Sequence, residues 1–564
     1  MLSCATALVF FSHSLWIWVI LGISKESMPS KSQRDRQHID YTEAKQDEPK
    51  DECKAERFSS ERDVMATLTK NGPTPFEDVL ERTGNGLYNY LVVSACGLIL
   101  LAIGMDLFGF SLVVVAACDL HVTTSQKGIL TSLPFIGILI VSYPWGYISD
   151  TKGRKSSLIV SMLAGFVLSS LASLSPNWIV LGVIKFLSVC FSCSANSATY
   201  TLVGESCIQS VRSKYMLIMT CLIILSPAAA AVVAYPTLLL NFEYYMPALG
   251  ITFKAWRLLL IVLSVPSLLG GIAICFCHES PKFLANVDKN EEALEVLKSI
   301  YATNNGCSKE ELGVSSIVLE DATVQKKMSI IRTMYEQSAP MFRKPLLGKT
   351  IQLYFIVGVV YVTNNTFIVW LPQILNMVRL ELEREPTSDG NVCTLIAYAE
   401  TPVNGTAGDA TVAEICKGTV EDNVIMTLVI SQCTYSFLNF VLSYLMRWRR
   451  IVLLIILCLS SLSGLLLGLV PHPVTSVVLF IVFTCTCLAM GIMASYFVEL
   501  YPTSCRGMVA CLSIMVGRTT TFVGINVAGN LIFTHCQATF SVWALLVFGS
   551  AVAAWFLPPD RPKI

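Results

Sequence analysis

The sequence predicts an all-α membrane protein made of two bundles of six helices, and three observations predict it. Hydrophobic residues make up 54% of the 564 positions and charged residues only 14%, against roughly 25% charged in soluble domains. After residue 86 the chain passes through twelve apolar stretches of about 20 residues, the length that a hydrocarbon core about 30 Å thick demands of a helix. A polar segment, 279–349, divides them six and six.

The spans are expected near 89–118, 127–149, 157–175, 178–200, 215–239 and 256–277, then 350–375, 424–446, 451–470, 474–497, 507–533 and 539–557. Lys and Arg accumulate in cytoplasmic loops. Loops after the even-numbered spans hold 19 of them and loops after the odd-numbered spans 4, with Lys127 and Arg257 left out as span-edge residues. Both tails and the central loop are therefore expected in the cytoplasm. The domains read as an N-terminal segment 1–85, a first bundle 86–278, the central loop 279–349, a second bundle 350–557 and a tail 558–564.

The apolar run 5–23 lacks the basic start of a signal peptide and is followed by Lys25, Lys31, Arg34 and Arg36. It reads equally as an extra helix or as sequence upstream of a working initiator at Met28. Residues 29–81 are charged and poor in aromatics, a composition expected to stay disordered. Equal counts of 40 basic and 40 acidic residues, with a pI near 6.9, argue against a nucleic-acid partner, which would call for a basic face.

The outer loop 376–423 carries nine acidic and three basic residues. It also holds the sequon Asn404-Gly405-Thr406, a glycosylation candidate, and Cys393 with Cys416, a disulfide candidate; both chemistries belong to a lumenal or extracellular face. A second sequon, Asn364-Asn365-Thr366, falls inside span seven and is expected to go unused. Cys190 and Cys193, with no second pair, read as packing residues.

The two halves repeat. Glu205 ends span four with Arg212 seven residues on, and Glu499 ends span ten with Arg506 seven residues on. The turn after span two, rich in charge, has its counterpart in Arg447-Trp448-Arg449-Arg450. Matching charged ends in six plus six helices indicate a parallel duplication, and each Glu/Arg set is expected to form a gating or structural ion pair at the membrane edge.

Gly146-Tyr147-Ile148-Ser149-Asp150-Thr151-Lys152-Gly153-Arg154-Lys155 resembles the loop signature of the major facilitator superfamily. His278-Glu279-Ser280-Pro281-Lys282-Phe283-Leu284 is similar to the PESPRFL element of sugar porters, with His278 and Lys282 as departures. The resemblance covers residues 86–557. Within the superfamily the chain looks like the synaptic vesicle glycoprotein 2 family, on its long outer loop, its long charged tail and Trp256-Arg257 opening span six. The resemblance implies the major facilitator fold and a latch formed by the turn, with Gly146, Asp150, Gly153 and Arg154 as its residues. Physically, Asp150 and Arg154 share a face if the helix continues, and Gly153 permits a bend. The plain alternative is a topogenic basic loop.

Charges inside spans are costly and so are functional candidates. Asp106 in span one is a candidate for binding a cation or proton, or a hydrogen-bonded helix contact; the resemblance places a second acid of the family at Ile103, which weakens a two-carboxylate relay. Lys185 in span four stands where the superfamily often has Arg, as a coupling residue or a packing lysine. Arg518 in span eleven is a candidate for meeting an anionic group or Asp106, but is expected instead to snorkel to the cytoplasmic interface. Ser226-Pro227 followed by alanines suits a bend and close packing.

Leu347-Gly348-Lys349-Thr350 lacks the earlier glycine of a phosphate-binding loop, and neither HExxH nor paired CxxC is present, so no enzyme, metal site or cofactor is implied. The expected function is secondary transport of a small solute by alternating access, with protons as candidate coupling ions, in a vesicle or plasma membrane. The alternative is a non-transporting vesicle glycoprotein that acts by binding partners.

Overall fold

The computed structural model describes residues 74–319, 339–344, 346–384, 390–400, 422–444, 448–501 and 503–558. The first half contains α1 (Leu87–Ala116), α2 (Thr124–Lys152), α3 (Arg154–Ala172), α4 (Trp178–Ser206, interrupted at Cys193), α5 (Gln209–Leu238) and α6 (Ala255–Cys275). The second contains α7 (Leu347–Arg384), α8 (Asp422–Tyr444) and α9 (Arg449–Leu466). Next comes α10, which runs from Pro473–Phe483 through a 3-10 turn into Ala489–Leu500; α11 (Thr503–Leu531) and α12 (Cys536–Trp555) follow.

Eleven of these helices are long and apolar enough to cross a membrane. The twelfth expected span is α11, 29 residues long, whose apolarity is diluted by Thr519, Thr520, Thr521, Arg518, Asn526 and Asn530. It packs between α7 and α2, which buries Arg518 and Thr521 against protein while Thr519 and Asn530 stay exposed.

Local chemistry sets the ends. Thr123 and Gln126 form a reciprocal capping box at the start of α2, and the Asn177 side chain accepts from the Val180 N–H at 2.9 Å to open α4, each satisfying an orphan amide. Prolines inside α2, α5, α6 and α7 are tolerated because neighbouring helices and side chains satisfy the freed carbonyls.

Small residues bring the first bundle together. A Cβ on Gly104 of α1 would lie 1.9 Å from Ser226 Oγ of α5, so the expected close packing of the Ser226-Pro227 stretch is against α1. The second bundle centres on Phe367 of α7, whose ring meets Phe480, Phe483, Phe540 and Trp543 at 5.0–5.8 Å. At the end of the first bundle remote from the 146–155 turn, Arg257 donates to the Ser173 and Ser175 carbonyls at 2.8 and 2.7 Å. It also lies 3.5 Å from Asp119, which accepts from Trp256 Nε1 at 2.7 Å. The Trp256-Arg257 pair thus ties two loops to the start of α6.

Two expectations are corrected. Disorder was expected through residue 81, yet Phe76–Arg82 is helical. Phe76, Val79 and Leu80 bury against Phe283, Leu284, Leu294, Leu297, Leu312 and Ile317 of the segment after α6, and Thr74–Pro75 pairs in parallel with Ile317–Val318. Apolar surface supplied by a stretch some 200 residues away decides this, out of reach of local composition.

The second correction concerns Cys393, which is bonded to Cys536 at the start of α12; Cys416 and Asn404 lie outside the described residues. Asn391 Nδ2 donates to the Gly468 carbonyl at 2.8 Å, which seats the helix Val392–Glu400 against the second bundle and brings the two sulfurs together. Non-reducing peptide mapping should recover Cys393 joined to Cys536, and a Cys393–Cys416 peptide would overturn this assignment. Because the bond closes 143 residues of chain, Cys536→Ser should lower stability by roughly 2–4 kcal/mol, read as a fall in Tm of the purified protein.

Candidate functional site

The charged turn breaks the helix. α2 stops at Lys152, Gly153 takes φ +104° and ψ 152°, and α3 starts at Arg154, a conformation open essentially to glycine alone. The ion pair between Asp150 and Arg154 nevertheless forms, at 3.1 Å. Gly153 also leaves room for a carboxylate: Glu279 accepts from the N–H groups of Arg154 and Lys155 at 2.9 and 3.0 Å and from that of Ser280 at 3.0 Å. An anion at a helix N-terminus is stabilised by the orphan amides and the helix dipole.

Arg154 is buried beneath this cap. Its Nε and Nη2 lie 3.1 and 3.2 Å from the two oxygens of Glu205 on α4, and its guanidinium sits 4.9 Å over the Phe283 ring. Glu205 also accepts from the Ser280 hydroxyl. The expected Glu205–Arg212 pair is therefore not made. Arg212 instead lies 3.7 Å from Glu77, which meets Lys282 at 3.0 Å; the extended Cys207 that ends α4 separates Glu205 from Arg212.

His278, the departure from the sugar-porter element, stacks on Tyr88 at 5.5 Å. Burial, with Lys155 and Lys309 nearby, holds its ring below the ordinary value of 6.5. Gly146 has open space around it, and the side chains of Glu499 and Arg506 lie outside the described residues.

Asp106, Ser169 and Lys185 come together from α1, α3 and α4. The Lys185 ammonium donates to Asp106 Oδ1 and to Ser169 Oγ at 3.0 Å, while the Ser169 hydroxyl donates to Asp106 Oδ1 at 2.7 Å. Asp106 and Lys185 are 5% and 1% exposed. The lone carboxylate read from the sequence is thus half of an ion pair inside one bundle. Its partner is Lys185, since Arg518 sits in the other bundle.

Arg518 does not snorkel to a helix end. It stands about midway along α11, 8% exposed, with its guanidinium 5.5 Å from the centre of the Phe135 ring of α2 in the other bundle. Its Nε has no hydrogen-bond partner, and among the described residues no carboxylate pairs with it. A cation–π contact is worth about 0.5–2 kcal/mol, less than the several kcal/mol that burying an unpaired ion costs. Gly517 lets the Tyr361 ring of α7 lie against the backbone beside it, where a Cβ would be 2.6 Å from that ring.

The seam between the bundles holds few polar ties. Asn526 Nδ2 of α11 donates to Ser132 Oγ of α2 at 2.9 Å, and Ser436 Oγ of α8 donates to the Cys221 carbonyl of α5 at 3.1 Å. Ser132 lies toward the end of α2 remote from the charged turn. At the turn itself, among the described residues, Asp150, Arg154 and Glu205 pair within the first bundle and with the segment that follows it.

Residues 94–399, more than half of the chain, match the profile of the Major Facilitator Superfamily. The chain belongs to this superfamily. Relatives include synaptic vesicle glycoprotein 2C of Mus musculus, 25% identical over 282 residues, which are 50% of this chain and 38% of the relative. Synaptic vesicle glycoprotein 2A of Rattus norvegicus is 24% identical over 230 residues, 41% and 31% of the two chains. The matched part spans well under half the length of these relatives.

Among solved structures, the xylose transporter XylE from E. coli in a partially occluded inward-open conformation superposes with a TM-score of 0.59 at 13% identity, covering 85% of this chain and 99% of that one. The proton:xylose symporter XylE bound to 6-bromo-6-deoxy-D-glucose gives 0.56 at 14% identity, covering 84% and 97%. At such identities the likeness concerns the fold. As a superfamily member with eleven helices long and apolar enough to cross a bilayer, the protein is a multi-pass membrane protein.

The site residues missed in the sequence are Ser169, Glu279 and Ser280, whereas Tyr361 reads there as a cavity-lining aromatic. Glu279 and Ser280 stood in a recognised element, and their pairing with Gly153 was the available signal. Ser169 gave none, because a serine in an apolar span is commonplace.

Proposed function

We propose that this protein is a secondary active transporter that moves a small solute between its two bundles by alternating access, with Asp106 as its proton-coupling carboxylate. The buried Asp106–Ser169–Lys185 set carries the reading. An apolar trio of similar volume would hold three helices at least as well, since a buried ion pair gains little over hydrophobic packing. Charges kept inside a membrane bundle therefore point to a task. A proton on Asp106 would release Lys185 and let α1, α3 and α4 reset.

The seam supports the same reading: the Asn526–Ser132 tie lies toward the end expected to face the lumen or exterior, while among the described residues the cytoplasmic charge cluster is satisfied without the second bundle.

Proteoliposome uptake tests this. Wild type should accumulate its solute only with an imposed pH gradient, and Asp106→Asn/Lys185→Met should still exchange solute across the membrane without accumulating it. Gradient-driven accumulation that survives in the double variant would remove Asp106 from coupling; absence of any flux from folded protein would favour the partner-binding glycoprotein.

A further inference from the structure

We infer that the transported solute is an organic anion whose carboxylate docks on Arg518, an inference that rests on the transport reading above. Arg518 is more than nine-tenths buried, yet among the described residues it has no anionic partner. Asp106, the acid nearest in kind, is already engaged by Lys185. Lys127, half-buried near the start of α2, likewise has no acidic partner among the described residues. The two helices that form this part of the seam, α2 and α11, thus each bring a cation that the protein leaves uncompensated. A buried charge of this kind is tolerable when its counter-ion arrives with the ligand.

The surroundings narrow the class. The planar fork of a guanidinium matches a carboxylate in bidentate fashion. Beside Arg518 are the Tyr361 ring and the Cys193 thiol. One turn from Tyr361 along α7, the Asn364 Oδ1 is buried without a hydrogen-bond partner, although its Nδ2 donates to Asn365 at 3.1 Å. Asn365 in turn donates to Thr521 Oγ1, one turn from Arg518, at 3.1 Å. A cation, an aromatic ring and an orphan acceptor suit a carboxylate on a compact body that carries a hydrogen-bond donor. An organic cation would be repelled, and a neutral sugar would leave the guanidinium unpaired.

The test uses the purified full-length chain and two readouts. The first is Tm with increasing lactate, benzoate and succinate, against benzamide, glucose and tetraethylammonium. The second is uptake of the same compounds into proteoliposomes. At least one carboxylate should raise Tm and be taken up, whereas benzamide, glucose and tetraethylammonium should do neither. Arg518→Met should weaken that carboxylate's effect roughly 10- to 100-fold, and Arg518→Lys should retain part of it.

Without ligand, Arg518→Met should be no less stable than wild type, because it removes an uncompensated charge. A ligand-free Tm well below wild type would show that Arg518 is paired within the protein and would overturn the inference. So would uptake of glucose or tetraethylammonium unchanged by Arg518→Met, which leaves the transport reading standing, or the absence of any carboxylate effect on Tm. Arg518-dependent stabilisation by a carboxylate with no uptake would uphold the anion site and overturn the transport reading instead.

Discussion

Lys185→Met is expected to destabilise the protein by about 3–5 kcal/mol, the usual cost of stranding one member of a buried ion pair. The Asp106 carboxylate would keep only the Ser169 hydroxyl as a donor, in a setting where it is 5% exposed. Asp106→Asn should be costly for the reciprocal reason, since Lys185 would retain Ser169 and the Phe110 ring at 5.3 Å but no counter-charge. The double variant Asp106→Asn/Lys185→Met should regain most of the loss, because both desolvation costs vanish together. Thermal unfolding of all four proteins closes the cycle. If the two single losses simply add in the double variant, the pair does not exist as described.

Gly153→Ala is expected to be nearly as damaging, although it adds one methyl group. A non-glycine residue in that backbone region costs about 1–3 kcal/mol. The new Cβ would also fall 2.3 Å from Glu279 Oε2 and 2.9 Å from its carboxyl carbon, displacing a carboxylate that holds three amides. Each charge-assisted bond of that kind contributes roughly 1.5–3 kcal/mol, so the combined loss should exceed the strain alone. Placing Gly153→Ala in a Glu279→Ala background separates the two causes, since only the strain remains there. A Gly153→Ala protein with the Tm of wild type would mean that α2 and α3 are not joined through this conformation.

Both predictions concern places where the sequence told part of the story. That a turn between two apolar helices carries Asp150, Gly153 and Arg154 is half explained by spacing, which puts Asp150 and Arg154 within reach of each other. The other half lies in Glu205, 51 residues beyond Arg154, and Glu279, 125 residues beyond. Asp106 and Lys185 were each singled out as charges in apolar surroundings. That they neutralise one another, and that Arg518 is left without a partner, depends on the rotation of α1, α3, α4 and α11 about their own axes. Hydropathy says that a helix spans and leaves open which way each side chain points.

The sequence by itself determined the class of protein, the twelve spans, the division into two halves and the family, because those follow from run length, from the absence of water in a bilayer and from a short motif at a fixed place. Tertiary structure decided the long-range pairings. Cys393 bonds Cys536 rather than Cys416, Arg154 takes Glu205 from Arg212, Lys185 takes Asp106 from Arg518, and Phe76–Arg82 folds on a surface supplied 200 residues later. The physical reason is common to all four. Burial within a span is imposed by the membrane and can be read one helix at a time, whereas the choice of a partner compares alternatives from distant segments that only packing brings within bonding distance.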